Sequence, residues 1–272
     1  MRQFILEKQT VKNGLVSLEG KDFRYLRQVL RVKVGDMLNV RLPDGKLQNT
    51  TVAKIDDKTK KVTLQFCATN SDDEVEKSIT RGVQPSQLEG KLPLLADWLF
   101  QFLPKAQKLE QIVRQATECG VAFIIPIIGE YSEKNSLYAL EGNKKERIER
   151  IIKEARQQSG SPVDTKILSP MTLQEALELW NQKNDEDKDL KVLGFVLSER
   201  DDCKDNLKKV ISENSGAGRL AIAVGSEGGI SPEEVSLLEE KGLFHPIHFA
   251  VNILRCETAA LYGIAAVQSA IN

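Results

Sequence analysis

The chain has 272 residues, with 38 Lys+Arg against 39 Asp+Glu, a net charge of −1, 41% hydrophobic and 28% charged residues. This is the composition of an ordinary soluble globular protein of one large domain or two modest ones, which excludes a disordered or fibrous chain. No apolar run reaches the about 18 residues of a membrane helix, and the charged start MRQFILEKQT is not a secretory signal.

In chain order, residues 1–70 read as β-rich. MLNVRL (37–42), NTTVAKI (49–55) and KVTLQFCA (61–68) are strand-length segments separated by turns. Pro43-Asp44-Gly45 is a turn because Pro presets one dihedral and Gly supplies a positive one; VKVGD (32–36) is a second. KDFRYLRQVLR (21–31) puts Phe23, Leu26 and Leu30 at helical spacing. A small barrel with one helix is predicted. Residues 71–91, polar with Gly and Pro, read as a linker.

From residue 92 the pattern alternates. LPLLADWLF is apolar. LEQIVRQATECG is a helix, with Leu109, Ile112, Val113 and Ala116 on one stripe and Gly120 closing it. VAFIIPII is a buried strand. KKERIERIIKEARQQSG is a second helix, TKIL a short strand and LQEALELWNQK a third helix. KVLGFVLSE (191–199) and RLAIAVGSE (219–227) are apolar runs of strand length. EEVSLLEEKG is a helix, HPIHFAV a last strand and LRCETAALYGIAAVQSAI a final helix. Residues 92–272 are therefore an α/β domain on a largely parallel, buried sheet.

Charge is unevenly spread. Residues 1–70 hold 14 basic and 7 acidic residues, net +7, and the remainder holds 24 and 32, net −8. A basic module beside an acidic one fits an anionic partner, and a solvated basic face accounts for it equally. The four cysteines (Cys67, Cys119, Cys203, Cys256) show no paired spacing. That argues against a zinc site or disulfide framework and for a reducing cytoplasm.

In open α/β sheets, ligands bind beyond the carboxyl ends of the strands. Three loops qualify: LSERDD after 197, GSEGG after 224 and FAVNILRCET after 248. The Gly225–Gly229 loop lacks the lysine of a Walker A element and the spacing of a dinucleotide fingerprint. It exposes backbone amides just before a helix opened by Ser231-Pro232-Glu233-Glu234, or it is a tight strand-to-helix connection. In Asn252-Ile253-Leu254-Arg255-Cys256-Glu257-Thr258, Glu257 suits the start of a helix, whereas Arg255 opposes its dipole. That opposition marks Arg255 as functional. His245 and His248 read as packing or surface histidines, with no third ligand for a metal.

VGSEGGISPEEV followed by ILRCETAAL resembles the paired signature, G-P-E-G-G-f-s and r-I-L-R-x-E-T-A, of the RsmE-type 16S rRNA uridine N3-methyltransferases of the SPOUT class. RYLRQVLRVKVGD is similar to the family's H-H-L-x-x-V-L-R-x-k-x-G-D. QATECGVAFIIP is similar to K-A-T-E-L-G-V-x-x-I-x-P, and EARQQSGS to E-A-x-x-Q-S-g-R. The order of these motifs spans the chain. Departures are Ser226 for the loop proline, Asn252 for Arg, Phe249-Ala250 for Leu-Gly, Gln115 for Lys, Tyr131 and Ser161 for Arg, and Arg24-Tyr25 for a His pair. Several remove positive charge from the expected RNA face and leave the cofactor motifs standing.

The resemblance implies a fold: an N-terminal PUA-like RNA-binding β-barrel (1–70) and a C-terminal trefoil-knotted SPOUT domain (92–272). It also implies S-adenosylmethionine as cofactor, held by Leu197, Ser198, Val224, Gly225, Gly229, Phe249, Ile253, Leu254 and Arg255. Arg255 is the expected electrostatic catalyst, with Glu257 orienting it or capping the helix, and Glu227 a second candidate base. Arg24, Arg27, Arg31 and Lys33 are expected to meet phosphates. The implied partner is 16S rRNA or the small subunit in the cytoplasm, and the implied assembly a homodimer, with no metal and no membrane. A SPOUT enzyme acting on another RNA, and a non-catalytic ribosome-assembly factor, stay open at this point.

Overall fold

The computed structural model describes residues 3–7, 14–67, 98–186, 190–198, 206–214, 216–249 and 251–271. The expected linker at 71–91 lies outside them. The chain divides into two compact units, residues 1–90 with 157–160, and residues 91–156 with 161–272.

The first unit is one five-stranded sheet in the order β1-β3-β4-β5-β2. Its strands are β1 (Phe4–Ile5), β2 (Leu15–Glu19), β3 (Met37–Arg41), β4 (Leu47–Asp56) and β5 (Lys61–Phe66). β1 runs parallel to β3, and the other pairs are antiparallel. Among the described residues this ladder has two ends, β1 and β2, so its pairing is that of an open sheet. Alternation fixes the faces: Val16 and Leu18 of β2 and Val62 and Leu64 of β5 point into one core with Phe4, Val40 and Val52. Gly45 takes φ +86° and its N–H donates to the Leu42 carbonyl, making the turn predicted at Pro43-Asp44-Gly45. The predicted helix is a single α-turn, α1 (Lys21–Arg24), running into a π-turn (Tyr25–Val29). It buries Phe23 and Leu26. The two strands β1 and β2 were not read from the sequence; β1 is too short to show a period.

The second unit carries a seven-stranded, wholly parallel sheet in the order β12-β10-β11-β6-β7-β8, with β9 also on β7. The strands are β6 (Trp98–Phe102), β7 (Phe123–Ile128), β8 (Lys166–Ile167), β9 (Met171–Thr172), β10 (Val192–Ser198), β11 (Arg219–Val224) and β12 (Phe244–His248). The helices are α2 (Ala106–Glu118), α3 (Gly142–Ser159), α4 (Leu173–Glu186), α5 (Leu207–Glu213), α6 (Pro232–Gly242) and α7 (Cys256–Ile271). A parallel sheet must be covered on both faces, and period-2 strands sort their side chains accordingly. Leu220, Ile222 and Val224 of β11 pack with Ile112, Ile152 and Ile264 from α2, α3 and α7. Ala221 and Ala223 face the other way, with Trp180 of α4 and Leu238 of α6. The α/β expectation is met, and α5, which follows residues outside the description, was not read from the sequence.

The strand order reverses beside β6. Its neighbour β7 follows it in sequence, while its other neighbour β11 comes five strands later. The loops leaving the carboxyl ends of β6, β7 and β11, and the segment after β12, are where such a sheet offers a crevice.

Candidate active site

The glycine loop starts from a buried hold on its first residues. Gln101, at the end of β6, is fully buried and its Nε2 donates to the carbonyls of Phe102 (2.9 Å), Val224 (3.3 Å) and Gly225 (3.2 Å). The loop then folds back on itself. Ser226 and Gly229 form an isolated antiparallel bridge, and Gly229 takes φ +81°. A β-carbon on Gly225 would lie 2.7 Å from the Gly229 carbonyl carbon, and one on Gly228 2.7 Å from the Tyr131 β-carbon. The glycines are thus required by close packing within the loop and against Tyr131.

Ser226 is buried and its hydroxyl donates to the Tyr131 carbonyl at 2.8 Å. The same oxygen accepts from the Gly228 N–H at 3.3 Å. Proline at this position has no such hydroxyl. The loop after β7 is therefore pinned to the glycine loop. Glu234 adds a second pin: its carboxylate accepts from the Glu130 N–H at 2.8 Å and from the Ser231 N–H at 3.0 Å. The second contact completes the capping box of α6.

The side chain that organises the site is Lys108, in the first turn of α2. Its ammonium lies 3.2 Å from Glu257 Oε2, 3.5 Å from Glu227 Oε1 and 3.9 Å from the Cys256 sulfur. Glu227 also accepts from the Lys105 N–H at 3.2 and 3.4 Å, at the start of α2 where the helix dipole favours an anion. The Cys256 thiol donates to Glu257 Oε2 at 3.3 Å. Burial, then the bond to Glu257 and the nearby Glu227 charge, push this thiol up to about 12. Burial works against ionising both Lys108 and Glu257; for Glu257 it is outweighed by its own backbone N–H, the Cys256 thiol and Lys108, and for Lys108 by the bond to Glu257 and the nearby Cys256 and Glu227. The ammonium is raised and the Glu257 carboxyl lowered, so both are charged at neutral pH. A carboxylate with lowered proton affinity is a weak base.

Arg255 precedes the first residue of α7. Its carbonyl accepts from the Thr258 and Ala259 N–H groups, both at 2.8 Å, and its side chain is exposed. Sequence reasoning had Glu257 orienting Arg255 or capping the helix; its carboxylate is held by Lys108 and the Cys256 thiol. Ile253 is 83% exposed and Leu254 half-buried. Phe249 is half-buried with its ring edge-on to Tyr262 at 5.0 Å. Leu197 packs where a β-carbon on Gly263 would sit, 2.5 Å away. Ser198 ends β10, and its backbone carbonyl faces His248 Nδ1 at 3.3 Å. The rest of the LSERDD loop lies outside the described residues.

Lys108, Gln101 and the Ser226–Tyr131 contact were missed from the sequence. Lys108 carried the signal used for Arg255, a cation at a helix start, and its partners lie far away in the chain.

In the first unit, Arg24, Arg31 and Lys33 are exposed. Arg27 is not free: its guanidinium makes two 3.2 Å bonds to Asp57 and one of 3.0 Å to the Val32 carbonyl. Arg31 sits at φ +56°, an unusual conformation for a side-chain-bearing residue. Among the described residues no helix is long and apolar enough to cross a membrane, and no cluster of three His, Cys, Asp or Glu is placed to hold a metal.

Residues 91–268 match the family model for an RNA methyltransferase domain, and residues 18–65 that for an RNA methyltransferase PUA domain. The chain belongs to the RNA methyltransferase family. A relative from Borreliella burgdorferi, ribosomal RNA small subunit methyltransferase E 2, is 27% identical over 97% of this chain and 96% of its own. Ribosomal RNA small subunit methyltransferase E of Aquifex aeolicus is 32% identical over 64% of this chain and 69% of its own. The fold is shared with the ribosomal RNA small subunit methyltransferase E of Neisseria gonorrhoeae crystallised with S-adenosylmethionine. That likeness has a TM-score of 0.72 at 22% identity, covering 99% of this chain and 97% of that one. For this family member, the loops that converge on Lys108 all fall within the methyltransferase match.

Proposed function

We propose that this protein transfers a methyl group from S-adenosylmethionine to N3 of a uridine in small-subunit ribosomal RNA. The observation that carries the reading is the convergence of the glycine loop and the Asn252–Glu257 segment at the carboxyl end of the parallel sheet, beside the reversal of strand order, in a chain matching the RNA methyltransferase model over residues 91–268. The relatives named as small-subunit methyltransferases support the substrate.

The chain's residues fit the cofactor. Ile253 leaves a large apolar side chain 83% exposed in this segment, and half-buried Leu197, Leu254 and Phe249 are the other apolar groups available to an adenine. Backbone groups of Ser198, Val224, Gly225 and Gly229 are assigned to ribose and methionine. When bound, the cofactor supplies an electrophilic methyl group on a sulfonium. Within this reading, the segment around Arg255 crosses through the preceding loops as a trefoil knot.

Uracil N3 carries a proton near neutral pH, so the protein must expose the base and stabilise its anion. Arg255 is assigned that role, because its exposed guanidinium is able to fork onto a uracil carbonyl. Glu227, whose side chain is 30% exposed against 12% for Glu257, is assigned to accept the N3 proton. Arg24, Arg31 and Lys33 are assigned to RNA phosphates. α7 packs on α2 with Ala260, Gly263, Ile264 and Val267 buried, and its opposite side, with Thr258, Tyr262, Ala265 and Ser269 exposed, is assigned to a homodimer in the cytoplasm.

The test is mass spectrometry of ribosomal RNA nucleosides from a deletion strain, complemented with the wild type or with Arg255→Ala. Loss of one N3-methyluridine, restored by the wild type and not by the variant, supports the reading. An unchanged nucleoside profile in the deletion strain refutes it.

A further inference from the structure

Three chain segments meet at one ammonium. α2 brings Lys108, the glycine loop brings Glu227, and the first turn of α7 brings Glu257 and Cys256. The contact to Glu257 is 3.2 Å and that to Glu227 3.5 Å, so the ammonium sits between the two carboxylates. Glu227 is also held by the Lys105 N–H, and Glu257 by its own backbone N–H and the Cys256 thiol. None of these is a charge. Remove Lys108 and two anions face each other across the space it filled, in a region that excludes part of the solvent. Like charges at such range repel, and the repulsion is relieved only by separation or by taking up a proton.

The consequence reaches Arg255. It is bonded to Cys256, and its carbonyl is fixed by the Thr258 and Ala259 N–H groups, both at 2.8 Å. Wherever the first turn of α7 goes, Arg255 goes with it. The glycine loop, in turn, is placed by Glu227 and by the Ser226 contact to Tyr131.

We propose that Lys108 is a positioning residue: it holds the glycine loop and the start of α7 in register by neutralising Glu227 and Glu257, and through them sets where Arg255 stands. The inference rests on the methyl-transfer reading only for its activity arm. The groups facing the ammonium are Glu227 from the loop and Glu257 and Cys256 from α7, with Lys105 one turn before it on its own element. Near neutral pH the thiol stays protonated, so the balance at the site is one cation against two anions.

The experiment compares wild type, Lys108→Met, and Lys108→Met combined with Glu257→Gln. Methyl transfer to small-subunit RNA is measured across a pH series. A misplaced catalytic segment costs up to about 100-fold, and Lys108→Met is expected to lose at least about tenfold near pH 8. The ratio of variant to wild-type turnover cancels the pH dependence of the chemistry itself. That ratio is expected to fall as pH rises from about 5.5 to about 8.5, because at the acid end one carboxyl takes a proton and the pair hydrogen-bonds instead of repelling. The double variant, with one negative charge gone, is expected to restore turnover and flatten the ratio. Lys108→Arg, which keeps the charge, is expected to show a flat ratio too, and it serves if Lys108→Met does not fold.

Amide hydrogen exchange over residues 225–231 and 252–258 is read in the same proteins, each against wild type at the same pH. Faster exchange in Lys108→Met at alkaline pH, reversed in the double variant, is expected. A pH-independent ratio with no recovery in the double variant overturns the proposal and leaves Lys108 a packing residue; so does wild-type turnover in Lys108→Met. If the wild type itself transfers no methyl group, the functional reading falls, and the exchange data still decide the role of Lys108.

Discussion

The hydroxyl of Ser226 reaches across to the carbonyl of Tyr131 at 2.8 Å. Both positions depart from the motifs the chain resembles, which have proline and arginine there. The serine uses its hydroxyl to tie two loops together. Ser226→Ala leaves the buried end of this contact unmade, at a cost of about 1–3 kcal/mol. Chemical denaturation is expected to show a lower midpoint with an unchanged slope, and a midpoint equal to that of the wild type would remove the contact from the stability of the loop.

Gly225 and Gly228 differ in what they touch. At Gly225 a methyl group meets the Gly229 backbone at 2.7 Å, and backbone does not swing aside. At Gly228 it meets the Tyr131 side chain, also at 2.7 Å, in a loop held by hydrogen bonds. Overpacking of this kind costs about 1–3 kcal/mol. Calorimetric titration with S-adenosylmethionine is expected to show about tenfold weaker binding for Gly225→Ala, and a smaller loss for Gly228→Ala. The reverse order would mean that ligand contact, and not loop closure, sets the glycine requirement.

The Lys108–Glu257 pair fixes a pH window. The Glu257 carboxyl is lowered in the folded protein, so its contribution is present above the ordinary value of 4.5 and is lost as pH falls through the lowered one. The Lys108 ammonium is raised, so its contribution is present below 10.5 and is lost as pH rises beyond it. Cys256, raised from 9.0 to about 12, withdraws stability over that same alkaline interval. Urea denaturation of wild type and Glu257→Gln is therefore expected to differ most between about pH 5 and pH 9 and to converge in acid.

The cysteines report the same electrostatics. Cys67 is exposed, whereas Cys256 is buried, with its thiol held up by Glu257. Since the thiolate is the nucleophile, iodoacetamide at about pH 8 is expected to label Cys67 and spare Cys256. Peptide mapping checks this. Labelling of Cys256 in the Glu257→Gln variant, where the negative charge beside the thiol has gone, is expected to be faster than in the wild type.

Arg27 lies in the π-turn and Arg31 two residues beyond its end, and the two are expected to behave differently. Arg31→Gly keeps the backbone at φ +56° and removes an exposed cation. It should weaken RNA binding and reduce the salt slope by about 1. Arg27→Ala breaks the bonds to Asp57 and to the Val32 carbonyl. It should lower the melting temperature and leave the salt slope near that of the wild type. Filter binding across a salt series, together with thermal melting, separates the two.

Helical spacing marked α2, where Ile112 and Val113 share one stripe, and apolar runs of strand length marked β7, β10 and β11; α5 and the two-residue β9 left no such signal. The signature stretches marked the glycine loop and Arg255 for the same reason: they are local, and a chain records local chemistry in adjacent letters. What the tertiary structure decided is who meets whom. Lys108 and Cys256 are 148 residues apart and Ser226 and Tyr131 are 95 apart, and no period links either pair. They touch because the parallel sheet delivers the ends of β6, β7 and β11 to one side, with the start of α7 beside them. Such a meeting depends on strand order, and strand order is set by packing of the whole sheet between its two helical layers. The same dependence moved Glu257 from Arg255, its neighbour in the chain, to Lys108, its neighbour in space.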